Sequence, residues 1–294
     1  MLTLISKQCG DLQLILVPQL GGAIAALKYQ GFDILRPMPY GMASQANQCG
    51  SFPLIPYSNR IENGQFSFAG QHYTLAKNFG DHPHSIHGNG WQSIWHVAET
   101  STQQIVLQLN HDAQGEQTAH WPWPYRAKQV FSLTENSLKI ELSYLNDAAH
   151  AVPVGLGFHP YFANADQAQL QFCAQNVLIN DSNMLPSART AIPPQWDFRQ
   201  VRPVEPNSID NCFLGWDGSA QIHWPTQKLH VEITSPDAGN AIVFVPSTEK
   251  NFLAFEPVSH SNNAINQDHG AAMYLLASGE THSISMTMRI VGDA

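Results

Sequence analysis

Four stretches of the chain hold side chains that could move protons or grip a polar ligand. The densest is Asp81-His82-Pro83-His84-Ser85-Ile86-His87-Gly88-Asn89-Gly90-Trp91, with three imidazoles in six residues. Neutral imidazole is both a common metal ligand and the acid/base group suited to neutral pH. On a strand, His82 and His84 would share one face, as a metal site needs. Against that reading, no carboxylate follows the cluster, and Gly88 and Asn89 come next. The second stretch, Gly157-Phe158-His159-Pro160-Tyr161-Phe162, sets one imidazole in semi-apolar surroundings. Desolvation there lowers its pKa unless a carboxylate opposes it, and a core histidine bonded to backbone is the plain alternative. The third, Phe252-Leu253-Ala254-Phe255-Glu256-Pro257, ends an apolar run on a carboxylate. Glu256 is expected at a strand end over a cleft, with a raised pKa and a specific partner; a salt-bridged structural role is the alternative. The fourth, Tyr57-Ser58-Asn59-Arg60-Ile61-Glu62-Asn63-Gly64, holds one of only seven arginines in a turn. Its planar fork suits paired hydroxyls or a carboxylate.

The composition narrows the ligand. The 294 residues include 14 histidines, as many as lysine and arginine together, and only 13% are charged. Soluble domains typically carry about 25% charged residues. A net charge of −9 argues against a phosphate-backbone binder, so no nucleic-acid partner is expected. Hydrophobic content of 43% is ample for a packed core. No run approaches the ~20 apolar residues of a membrane helix, and the first residues lack a basic segment followed by an apolar one. Cys9, Cys49, Cys173 and Cys212 lie far apart with no CxxC and read as reduced thiols. A cytoplasmic protein with no membrane partner is the expectation.

The elements that position these residues read as strands. Leu138, Ile140, Leu142 and Tyr144 alternate with polar residues, and so do Ile284, Met286, Met288 and Ile290. Phe66-Ser67-Phe68-Ala69-Gly70-Gln71-His72-Tyr73 reads as strand, turn, strand, and Thr134-Glu135-Asn136 separates another pair. Helical patterning is nearly absent, and no GxGxxG or GxxxxGK[ST] occurs. Leu185 to Pro206 reads as an ordered excursion rather than a linker. The expectation is one all-β domain over residues 1–294, a large antiparallel β-sandwich.

Taken together, PYSNRIENGQFSFAGQHYTL, SIHGNGW, GFHPYF and FEP, in that order, resemble the aldose 1-epimerase (galactose mutarotase) family from about residue 12 to the C-terminus. The resemblance implies a single-domain β-supersandwich acting on a sugar, with no metal or organic cofactor. It implies that Asn59 and Arg60 bond sugar hydroxyls, that His87 contacts the ring oxygen and anomeric region, and that Asp210 binds sugar. It also makes His159 the general acid and Glu256 the general base. Such a pair could interconvert anomers of a free aldose by taking the C1 hydroxyl proton while protonating the ring oxygen. On this reading Glu256 starts ionised and His159 protonated, each stabilising the other. Trp91 offers an apolar face to the sugar, core packing being equally open to it.

Departures from the family pattern follow His159 and Glu256, where Pro160-Tyr161-Phe162 and Pro257-Val258-Ser259-His260 replace the usual runs. They resemble a less characterised bacterial subgroup, put galactose specificity in doubt, and raise His260 as a replacement sugar contact. Three rivals remain. A hexose 6-phosphate epimerase would need extra cations, with Arg36, Lys77 and Arg126 as candidates. A carbohydrate-binding module would not need Glu256 and His159 as a pair. A metal-dependent enzyme would use His82, His84 and His87. The natural aldose and the oligomeric state are not legible.

Overall fold

The computed structural model describes residues 2–39, 41–267, 270 and 272–292. Among these residues the strands pair only antiparallel, the helical pieces are short 3-10 turns, and no helix is long and apolar enough to cross a membrane. A nine-stranded sheet carries Gln104–His111, Tyr125–Leu133, Ser137–Asn146, Thr281–Gly292 and Leu229–Thr234 side by side. The period-two residues set its register: Leu138 faces Met288, Ile140 faces Met286 and Leu142 faces Ile284. All six side chains are buried, each contributing roughly 1.5–3 kcal/mol on leaving water. The hairpins at Ala69-Gly70 and at Thr134 to Asn136 form as the sequence indicates. The excursion 185–206 is ordered, with strands Pro186–Thr190 and Arg202–Pro203 joining different sheets.

An eight-stranded sheet packs against the first. Its centre is Ile209–Leu214, Asn240–Val245 and Phe252–Val258, with the short strands Gly157–Phe158, Pro53–Leu54 and Tyr161–Ala163 beyond. All seven residues of Phe252–Val258 are buried, because both faces are covered. Alternation still sorts them: Leu253 and Phe255 join the core between the sheets, whereas Phe252, Ala254 and Val258 join a second cluster on the far face. Glu256 shares the far face by parity. The same rule separates Ile209 and Phe213, in the main core, from Cys212 on the far side, which places Asp210 there too. The strand also runs on through Pro257 to Val258, so Glu256 is its fifth residue and not its end, a correction to the sequence reading.

Candidate active site

A cavity of about 500 Å³ opens on that far face. Asn59, Arg60, His87, Trp91, His159, Asp210 and Glu256, drawn from five separate segments, all line it. At its floor His159 Nε2 stands 3.2 Å from Glu256 Oε1. Their exposures are 6% and 2%, so water does not screen the pair. Burial drives the His159 imidazole down to about 3, helped by Arg36. Burial also raises the Glu256 carboxyl well above its usual range, with Asp210 adding to the rise and Arg60 opposing it. Both shifts oppose charge. One proton lies between Nε2 and Oε1, and the pair is net neutral whether His159 or Glu256 carries it. Phe52 and Tyr161 pack against the His159 ring at 4.6 and 4.5 Å. Glu256 Oε2 has no hydrogen-bond partner among the described residues, which leaves a carboxyl oxygen for a ligand.

The opposite wall is made of loops. Asn59 and His87 both adopt left-handed backbone, at φ 56° and 63°. They lock each other: Asn59 N–H donates to His87 Nδ1 at 3.0 Å, and His87 N–H donates to Asn59 O at 2.9 Å. Because Nδ1 accepts, the neutral His87 ring carries its proton on Nε2 and can only donate from there. Burial and neighbouring His159 hold its pKa well below the usual value. Asn59 Oδ1 accepts from Arg60 N and Nη1, and Arg60 Nη2 lies 3.6 Å from Asp210 Oδ2. Burial raises the Asp210 carboxyl, with Arg60 pulling it back down. Trp91 is only 1% exposed; its indole N–H donates to Ile86 O and its ring packs on Phe52, so it serves as wall and core together.

Several sequence expectations are corrected. His82 and His84 lie on a loop rather than one strand face; Pro83 fixes φ and removes a ladder donor between them. His82 lines the cavity, but His84 does not, and both His84 nitrogens are engaged, Nδ1 by Asn63 N–H and Nε2 at Asn183 O. Among the described residues, no group of three or more His, Cys, Asp and Glu could hold a metal ion. His260 is 4% exposed and lies outside the cavity lining, so it is not a sugar contact. Of the cations weighed for a phosphate, Lys77 and Arg126 do not line the cavity, and Arg126 pairs with Asp147. Arg36 does, but its Nη2 donates to Asn47 O and Cys49 O while its plane covers Tyr161 and Phe252. Lys250, at the rim, was missed, as were Phe52, Phe79 and Phe244. Nothing in their local sequence distinguishes them. Tyr161 stands in the GFHPYF run and could have been read with His159.

A paired-sheet β-sandwich with its cavity on the outer face of one sheet is the galactose mutarotase-like fold. A solved structure from Escherichia coli K12, provisionally named an aldose 1-epimerase, matches it with a TM-score of 0.90 and 28% identity over 99% of this chain and 100% of that one. The chain belongs to the aldose 1-epimerase family, whose model matches residues 8–289. It is 30% identical to the uncharacterised protein YphB of E. coli K12, over 98% of this chain and 99% of that protein. Human galactose mutarotase is 30% identical over a shorter span, 52% of this chain and 42% of that protein.

Proposed function

We propose that the protein is a cofactor-independent mutarotase that interconverts the α and β anomers of a free aldose. The observation that carries this reading is the His159–Glu256 contact of 3.2 Å on the floor of a cavity rich in neutral hydrogen-bonding groups. A hemiacetal presents two oxygens on one carbon, and a base and an acid this close can address both at once. Glu256 takes the proton of the C1 hydroxyl while His159 delivers one to the ring oxygen. The C1–ring oxygen bond breaks, C1 becomes an aldehyde, and rotation about C1–C2 exposes its other face. Closure runs the two transfers backwards.

Because the pair changes no net charge as protons move, no bare ion need form in a buried site, where it would be costly. Each partner then contributes roughly 10²–10⁴ in rate. His87 Nε2–H donates to the ring oxygen or anomeric region, while Asn59, Arg60 and Asp210 bond hydroxyls. Trp91 and Phe52 face the C–H side of the ring.

A hexose 6-phosphate is the second reading, favoured only by Lys250 at the rim, since Arg36 and Arg60 already face protein acceptors. Polarimetry or dehydrogenase-coupled mutarotation over galactose, glucose, other aldoses and glucose 6-phosphate tests both. Acceleration of at least one neutral aldose is expected. Binding without acceleration would leave a carbohydrate-binding protein, and a strict need for the phosphate would shift the substrate class.

A further inference from the structure

The Asn59–Arg60 segment is fastened by three imidazoles from two other parts of the chain. Ser58 N–H donates to His260 Nε2 at 2.9 Å, Asn59 N–H to His87 Nδ1 at 3.0 Å, and Asn63 N–H to His84 Nδ1 at 3.0 Å. Ser58 and Asn59 lie outside the strands, and their first ladder contact is Arg60 opposite Ile86. Without the histidines the amides of the buried Ser58 and Asn59 would be orphaned donors. Between the first two amides and Arg60 lies the left-handed Asn59, a conformation rare for residues other than glycine. Two successive peptide planes are thus pinned where the chain must turn.

His260 is 4% exposed and lies outside the cavity lining. An imidazole nitrogen accepts only while it bears no proton. His260 Nδ1 lies 2.8 Å from Ser261 O, which places the ring proton on Nδ1 and leaves Nε2 bare. The fold also makes room for the ring. A Cβ on Gly155 would stand 1.9 Å from His260 Cδ2, so only glycine fits there. Gly155 N–H in turn donates to Pro56 O at 2.8 Å, which ties the same loop a second time.

We propose that His260 is a positioning residue whose bare Nε2 holds the Ser58 amide, so that the turn at Asn59 aims the Asn59 amide and the Arg60 guanidinium into the cavity. Its kinetic consequence rests on the mutarotase reading above; its structural consequence does not. Asn59 and Arg60 bind hydroxyls and move no protons, so loss of the clamp should weaken sugar binding and spare the chemical step.

His260→Leu fills much of the volume with no acceptor, whereas His260→Gln can place a carbonyl oxygen near the position of Nε2. In mutarotation kinetics His260→Leu is expected to raise KM about 10-fold with kcat within about 3-fold, and His260→Gln to recover most of the loss. A loss in kcat at unchanged KM, or a Gln variant no better than Leu, would overturn the assignment. Should the Leu variant fail to fold, the wild-type protein and the Gln variant decide. Nitrogen-15 spectra of the wild type should show His260 as the neutral Nδ1–H tautomer, and the Ser58 amide should exchange slowly in both proteins. An Nε2–H tautomer, an imidazolium at neutral pH, or a fast-exchanging Ser58 amide in the wild type would refute the clamp. Should no aldose be turned over, the mutarotase reading fails, and the tautomer and the Ser58 exchange rate still decide the role of His260.

Discussion

The two walls of the cavity are built differently. On the sheet wall, Glu256 and Asp210 stand on extended strands, and alternation alone selects the face they occupy. His159 joins them from the junction between two short strands of the same sheet. On the loop wall, Asn59 and His87 sit in left-handed backbone, and hydrogen bonds to imidazoles hold what no ladder holds. The groups assigned to proton exchange, His159 and Glu256, stand on the sheet wall, and those assigned to hydroxyl binding stand on the clamped loops apart from Asp210, which reaches Arg60 from the sheet. The difference separates two kinds of loss: changes at His159 and Glu256 should appear in kcat and loop-wall changes in KM.

The largest expected effect tests the sheet wall. Glu256→Gln and His159→Asn should each lower kcat by at least ~10²-fold in mutarotation assays, the lower end for a general acid or base. Near-wild-type turnover in either variant would remove the pair from the chemistry. The protonation of the pair gives a second handle on the same wall. Gain of a second proton at low pH or loss of the shared one at high pH stops the exchange, so the rate should be bell-shaped in pH.

Acid should act on both walls together. Burial depresses His159 to about 3 and His260 to about 4, and holds His87 well below its usual 6.5. Below pH 6.5 the unfolded chain therefore binds protons that the native state refuses, and stability falls as pH falls. The raised carboxyls of Glu256 and Asp210 work the other way, since the native state keeps their protons longer as pH rises. With His82, His111 and His282 also lowered, the imidazoles outnumber the two raised carboxyls, so stability should fall between pH 7 and 5. Urea unfolding at pH 7, 6 and 5 measures it. Constant or rising stability on acidification would mean that these rings are charged in the native protein.

Period-two patterning made the nine-stranded sheet legible, whereas on the sheet wall Asp210 and the roles of His159 and Glu256 came from the family resemblance. The alternation through Leu138 and Tyr144, and the apolar run up to Glu256, needed no tertiary information. The loop wall was legible as residues but not as a mechanism of support. His82 and His84 suggested a metal because spacing on a strand was assumed, and Pro83 spoils that assumption. His260 looked like a sugar contact because it follows Glu256 closely; its partner, the Ser58 amide, is 202 residues away. A histidine that accepts from a backbone N–H leaves no local pattern. Nor does chain position reveal which cations reach a cavity rim, so Lys250 was missed while Lys77 and Arg126 were proposed.

Arg60 isolates the loop wall. Its fork spans Asn59 Oδ1 and Asp210, which a lysine ammonium cannot reproduce. Arg60→Lys is expected to raise KM for an aldose about 10-fold and to leave kcat within about 3-fold. If kcat falls instead by ~10²-fold, Arg60 is stabilising charge at the reacting oxygens, and the division between the walls does not hold.

The smallest effect is expected where neither wall is involved. Lys250 closes a 3-10 turn at the rim and is exposed, so its charge is screened and its side chain is not held. Lys250→Ala should change kcat/KM for a neutral aldose by less than about 3-fold, the scale of an exposed charge. The same variant assayed with glucose 6-phosphate separates the two substrate readings. Arg36 already donates to Asn47 O and Cys49 O, and its flat face is taken by Tyr161 and Phe252, so Lys250 is the lining cation with no partner to give up among the described residues. A phosphate substrate would therefore depend on Lys250 far more than glucose does. Equal, small changes for both sugars support the neutral substrate; a loss confined to the phosphorylated one would make the rim a third binding element beside the two walls.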